Sequence, residues 1–77
     1  MKKPPREPDG RFTTQGREIS YWNFDDHKAY SCIMKNGEDI LIGFIKKESN
    51  ESEEEYLRKA IIRADAGRPS AYESIQK

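Results

Sequence analysis

The chain has little with which to build a disulfide-bonded or membrane-embedded structure. Its 77 residues include one cysteine, so no internal disulfide can form. Secreted domains of this size usually carry several cysteines, and we therefore expect a reducing, cytoplasmic location. No apolar run approaches the roughly 20 residues that a membrane span needs, and the N-terminus lacks the apolar stretch of a signal peptide. We expect no association with a membrane.

A net charge is also missing. Fourteen basic residues balance fourteen acidic ones, which provides no global attraction to nucleic acid. The charges are unevenly placed, because residues 1–17 carry five basic and two acidic side chains whereas residues 18–59 carry six basic and ten acidic ones. Residues 1–17 also hold three of the four prolines and one large apolar residue, Phe12. Such a segment buries too little surface to offset its ordering entropy, so we predict a disordered basic N-terminal arm.

Groups for catalysis or cofactor binding are scarce. The single histidine, His27, follows Asp25 and Asp26 in a polar loop, and three adjacent turn residues rarely converge on one metal ion. Cys32 lies within an apolar run, where a buried thiol is unreactive. Gly43 belongs to a strand rather than to a phosphate-binding loop. We expect no enzymatic activity, no cofactor and no metal.

The clearest local signal is Asn36-Gly37 between two apolar runs. This dipeptide favours a two-residue hairpin turn, because both residues tolerate a positive φ. It predicts strands over residues 28–35 and 38–47. In that register Ile33 lies opposite Ile40, and Tyr30 lies opposite Gly43.

A further strand is predicted over residues 18–24, which are rich in β-forming side chains. We expect a three-residue loop, 25–27, to connect it to the hairpin, which places Trp22 opposite Tyr30 and Ile19 opposite Ile33. A slip of one residue would exchange the faces of this strand.

A helix is predicted over residues 53–66. Ser52 followed by Glu55 forms a capping box, and Gly67 suits a left-handed helix end. The apolar residues recur at three- and four-residue spacing and so form one stripe: Leu57, Ala60, Ile61 and Ala64. Residues 68–77 form a tail, either with one short helical turn or with a frayed end.

The predicted fold is therefore α+β: a three-stranded antiparallel meander and one C-terminal helix within residues 18–67. Both sheet faces are apolar, yet one helix covers only one of them. We expect the helix to cover the isoleucine-rich face. The other face would then expose Trp22, Phe24, Tyr30, Met34 and Leu41.

Exposed apolar patches of this composition are usually contact surfaces. We predict a small regulator or inhibitor, comparable with phage or mobile-element accessory proteins, that occludes a surface of a larger intracellular protein. Trp22 and Tyr30 would be its anchors. A homodimer through sheet faces or sheet edges is one alternative. Internal coverage by Phe12, or by Tyr72 and Ile75, is another.

DNA binding is the second functional alternative. The order of elements from Lys28 to Ala66, in which the strand end Ile42-Gly43-Phe44 precedes an acidic helix start, resembles in topology two families of small DNA-binding domains with three antiparallel strands and one helix. These are the plant APETALA2-type domains and the arm-binding domains of phage tyrosine recombinases. The resemblance implies that the sheet lies in the major groove, where Glu38 and Asp39 would oppose phosphates. The basic residues assigned to this alternative are Lys2, Lys3, Arg6, Arg11, Arg17 and Lys28.

Overall fold

A four-stranded antiparallel sheet and one helix form the fold of the computed structural model, which describes residues 4–67. The strands are consecutive neighbours: β1 (Gly10–Thr14), β2 (Arg17–Asn23), β3 (His27–Ile33) and β4 (Asp39–Lys46), followed by α1 (Glu53–Asp65). The α+β class is confirmed, whereas the count of three strands is wrong. The predicted tail over 68–77, with Tyr72 and Ile75, lies outside the described residues.

The additional strand, β1, lies within the segment predicted to be disordered. Its hairpin turn has positive φ at both Gln15 (54°) and Gly16 (72°), the combination that fits the right-handed twist of the flanking strands. Phe12 pairs with Ile19 and packs against the apolar cluster beneath the helix. Strand pairing and this burial together order the chain, so the prediction of disorder is wrong for residues 10–14.

The register between β2 and β3 differs from the predicted one by one residue. The loop contains two residues, because the Phe24 amide donates to the His27 carbonyl over 2.9 Å. Trp22 consequently lies opposite Ala29 rather than Tyr30, and Ile19 lies opposite Cys32. Since side chains alternate between faces, this slip moves Trp22 away from Tyr30.

The turn at Asn36-Gly37 is longer than predicted. The Met34 amide donates to the Glu38 carbonyl over 2.7 Å, and the Gly37 amide donates to the Met34 carbonyl over 2.9 Å, which leaves a loop of three residues. Gly37 takes φ 89°, as the third position of such a loop requires.

This longer loop places Ile33 opposite Asp39, so the predicted pairing of Ile33 with Ile40 is wrong. A β-bulge between Tyr30 and Ser31 then restores the pairing of Tyr30 with Gly43, which is confirmed.

The helix agrees with its sequence signals. Ser52 Oγ accepts the Glu55 amide at 3.2 Å, and Gly67 ends the helix with φ 75°. Three of the four residues of the predicted stripe are buried, namely Leu57, Ala60 and Ile61, and the fourth, Ala64, is partly buried.

The sheet separates two apolar clusters of unequal size. On the helix side, α1 covers the larger cluster, whose most buried members are Ile19, Tyr30, Cys32 and Leu57. On the opposite side lies the smaller cluster, Trp22, Ala29 and Leu41, with Phe24 and Phe44 packed against it.

Candidate functional site

The candidate site is the smaller cluster, which we call the Trp22 surface. Its centre is made by Trp22, Ala29 and Leu41, and the two serines Ser20 and Ser31 are buried as well. Only 2% of Trp22 is exposed. Within residues 4–67 no helical residue contributes to this cluster.

The cover of this surface includes residues 4–9, which we call the arm. The Trp22 indole Nε1 donates to the Arg6 carbonyl oxygen over 2.8 Å. The Arg6 guanidinium donates to the Asn23 carbonyl oxygen over 2.7 Å and lies 5.1 Å from the centroid of the Phe24 ring. One arginine of the arm therefore contacts this surface through both its backbone and its side chain.

Asp9 fixes the end of the arm that joins β1. Its amide donates to the Tyr21 carbonyl over 2.8 Å, and its carboxylate accepts the Asn23 amide over 2.6 Å. The next residue, Gly10, lies so close to the Tyr21 ring that a Cβ there would collide with it. Asp9 and Gly10 thus attach the arm to β2, while residues 4–8 extend beyond that anchor.

The arm leaves open space beside the tryptophan. A groove of about 340 Å³ lies between the arm prolines and Trp22, with Arg11 and Asp39 also in its wall. Pro5, Arg6 and Glu7 are exposed, and the side chain of Arg6 is 47% accessible. Most of the arm therefore faces solvent, although the indole beneath it does not.

A polar cluster attaches the start of α1 to the sheet. Glu53 accepts hydrogen bonds from the Tyr30 hydroxyl over 2.5 Å and from Lys28 Nζ over 2.9 Å. Burial raises the pKa of Tyr30 above its usual range, and the Glu53 carboxylate raises it further. Burial alone would raise the pKa of Glu53, but the two donors outweigh it and hold that pKa below its usual value.

The structure does not bring the five predicted contact residues onto one face. Trp22 and Leu41 belong to the Trp22 surface, and Phe24 is partly buried at its margin. Tyr30 lies under the helix with 1% exposure, and Met34 packs against the same cluster. The shared exposed face is therefore wrong, because the register of β2 and β3 separates Trp22 from Tyr30.

Of the predicted nucleic-acid residues, the structure brings only Arg6 and Arg11 together within residues 4–67, in the wall of the groove beside Trp22. Arg17 binds both carboxylate oxygens of Asp65 at 2.9 and 3.0 Å, and Lys28 pairs with Glu53. Arg6 lies on the arm and Arg11 lies on β1. Lys2 and Lys3 lie outside the described residues.

The two side chains with catalytic potential, Cys32 and His27, are held by neighbouring side chains. Burial raises the pKa of the Cys32 thiol, although Arg17 beside it acts in the opposite direction, so the thiol is held in its protonated form. His27 Nδ1 lies 2.6 Å from an Asp26 carboxylate oxygen, and this hydrogen bond lowers the pKa of Asp26. No group of three metal-binding side chains occurs within residues 4–67.

Sequence reasoning missed the arm contacts because they depend on the Arg6 carbonyl, which any residue could provide. The small residues Ala29 and Ser31 were a usable signal, because they leave room above the sheet for a covering segment. The burial of Trp22 also changes how it can be tested. Replacement of Trp22 by Ala would remove a buried side chain and destabilise the fold, so it cannot serve as a test of an interface alone.

Comparison with known proteins provides no relative. No family model matches the chain, and neither a curated protein nor a solved structure is similar to it. In the part of the chain that the structure describes, no helix is long and apolar enough to cross a membrane. The cytoplasmic location stays a prediction.

Proposed function

We propose that this protein is a non-enzymatic binding module that regulates a larger protein. It binds an extended segment of that protein on the Trp22 surface, in the place that its own arm occupies. The observation that carries the proposal is the hydrogen bond from the buried Trp22 indole to the Arg6 carbonyl of a mostly exposed arm. A backbone carbonyl is a feature that any extended peptide supplies, so the surface suits another chain as well as its own.

Displacement of residues 4–8 requires little free energy. The contacts of Arg6 are polar and partly exposed, and each such hydrogen bond contributes only on the order of 1 kcal/mol. An incoming segment would restore the same contacts, so the exchange leaves no buried group unpaired. Asp9 and Gly10 would stay attached to β2, which confines the movement to residues 4–8.

DNA binding has less support from the geometry. Two of its six candidate residues, Arg17 and Lys28, are paired with acidic residues of α1. On the sheet face opposite the helix, two cationic side chains, Arg6 and Arg11, line the groove beside Trp22, but Arg6 already binds the Asn23 carbonyl and the arm lies across the small and apolar residues of the sheet.

A peptide selection tests the proposal. The full chain carrying Arg6→Ala, which loses the side-chain contacts of the arm, is screened against a random peptide library displayed on phage. The matched control carries Arg58→Ala, a change at an exposed position of the helix. We expect the Arg6→Ala chain to select peptides that shift the Trp22 indole resonance, and the control to select them more weakly.

The proposal fails if no selected peptide shifts the Trp22 indole. It also fails if peptides bind only to the outer surface of α1. Gel shift with duplex DNA at low and moderate salt is the parallel assay, and salt-sensitive retardation would favour the second function instead.

A further inference from the structure

We infer that the partner segment carries an arginine flanked by prolines, as the arm itself does. This inference rests on the proposed function and names the chemistry that the Trp22 surface recognises. Three groups of the folded domain contact the arm at this point: an indole N–H, an aromatic ring and a backbone carbonyl. They belong to three consecutive residues, Trp22, Asn23 and Phe24.

The aromatic ring and the carbonyl select a guanidinium. Arg6 donates from Nη2 to the Asn23 carbonyl at 2.7 Å while its guanidinium carbon lies 5.1 Å from the Phe24 ring centroid. A planar guanidinium can lie over a ring and donate in its own plane at the same time. The ammonium group of lysine is not planar and is more strongly hydrated, so it satisfies this pair of groups less well.

The indole selects a carbonyl acceptor. Trp22 Nε1 donates to the Arg6 carbonyl, and the groove around it is lined by Pro4, Pro5 and Pro8 together with charged side chains that include Arg11 and Asp39. Proline has no backbone N–H, so it can lie against the indole without burying an unpaired donor. A fixed φ also lowers the entropy that an extended segment loses when it binds.

The arm therefore acts as an intramolecular competitor for the partner. A tethered segment has an effective concentration in the millimolar range, which keeps the surface closed against weak ligands. A partner must either bind more tightly than the arm or meet a chain whose arm is weakened. This predicts that removing the arm arginine increases binding of an added segment.

The test uses the arm as a free peptide. A synthetic peptide of residues 1–8 is titrated into the full chain carrying Arg6→Ala, and the fluorescence of the single tryptophan reports occupancy of the surface. We expect saturable binding that is on the order of tenfold weaker when the peptide arginine is replaced by lysine, since one charge-assisted hydrogen bond and the ring contact are weakened. A peptide with alanine at its proline positions 5 and 8 should also bind more weakly.

A receptor variant shows which groups discriminate. Phe24 is partly buried at the margin of the surface, and Phe24→Leu removes the ring under the guanidinium while it keeps an apolar side chain. We expect this variant to lose most of the preference for arginine over lysine. An unchanged preference would overturn the assignment of Phe24 as the arginine contact.

The outcomes separate this inference from the proposed function. Selected peptides that bind at Trp22 but contain neither proline nor arginine would leave the function standing and overturn the inference. Absence of binding by the arm peptide would also overturn it. Concentration-dependent dimerisation of the unmodified chain in sedimentation would assign the surface to the arm of a second copy and would likewise contradict a foreign partner.

Discussion

The two faces of the sheet are closed in different ways. On the helix side, a 13-residue helix with an apolar stripe covers the sheet, and four side chains there are 0–1% exposed: Ile19, Tyr30, Cys32 and Leu57. On the arm side, Trp22 is almost as buried. Its cover, however, is a largely exposed six-residue arm, to which the indole donates one hydrogen bond. Equal burial therefore does not mean equal stability.

The difference follows from what each cover buries. The helix removes large apolar side chains from water, and this contribution is lost only when the helix separates from the sheet. The arm keeps a single indole from water and otherwise contributes hydrogen bonds that water can replace, because Arg6 is already half exposed. A segment held by such contacts needs less free energy to open than the core does. We therefore expect the arm to open while the sheet and helix remain folded.

The largest effect is expected on the helix side, from Leu57→Ala. Leu57 is fully buried under the sheet, so its truncation should lower the free energy of unfolding by about 2–5 kcal/mol. Urea denaturation followed by circular dichroism measures this change. The matched control is Ile62→Ala on the same helix, where 64% exposure predicts a change of about 0.5 kcal/mol or less. Similar losses in both variants would contradict burial of the α1 stripe.

An intermediate effect is expected from Glu53→Gln, which weakens the hydrogen bonds from Tyr30 and Lys28. Because the folded pKa of Glu53 is lowered, its contribution is present above the ordinary value of 4.5 and is lost as pH falls through the folded pKa. We expect a loss of about 1 kcal/mol at neutral pH and a weaker dependence of stability on acid.

Glu54→Gln is the control for that experiment, since it removes the same charge from an exposed position in the first helical turn. Its stability should keep the acid dependence of the unmodified chain. The account of Glu53 would be refuted if the two variants lost the same part of that dependence.

The smallest effect on global stability is expected from Arg6→Ala on the arm side. Its partly exposed contacts predict a loss below about 1 kcal/mol in urea denaturation. The local effect should be larger, because Trp22 becomes accessible when the arm leaves. Acrylamide should therefore quench the tryptophan fluorescence of this variant more strongly than that of Arg58→Ala. Equal quenching in the two variants would argue against the arm as the cover of Trp22.

Local sequence signals predicted the helix and three of the four strands, but they did not predict the register in which the strands pair. The helix could be predicted from the spacing of Leu57 and Ala60 and from the capping residues Ser52 and Gly67, because these interactions lie within one segment. Strand register depends on loop length. Asn36-Gly37 is compatible with loops of two and three residues, and a change of one residue exchanges the two faces of a strand.

The candidate site was harder to predict for a related reason. The excess of apolar side chains on the sheet indicated that one helix cannot cover both faces, but the prediction that the second face is exposed was wrong, because the arm lies over Trp22. That excess could not identify the cover, because the Trp22 indole binds the backbone carbonyl of Arg6, a group that any residue provides. Backbone contacts of this kind leave no pattern in the amino-acid sequence.

Hydrogen exchange of the Trp22 indole N–H in the unmodified chain tests the central claim most directly. After correction for intrinsic rates, its opening free energy is compared with that of backbone amides in β2 and β3 by nuclear magnetic resonance. We predict that the indole opens at a clearly lower free energy, because the arm leaves while the helix side stays closed. An indole as strongly protected as the most protected amides would contradict this account, since Trp22 would then open only when the whole domain unfolds.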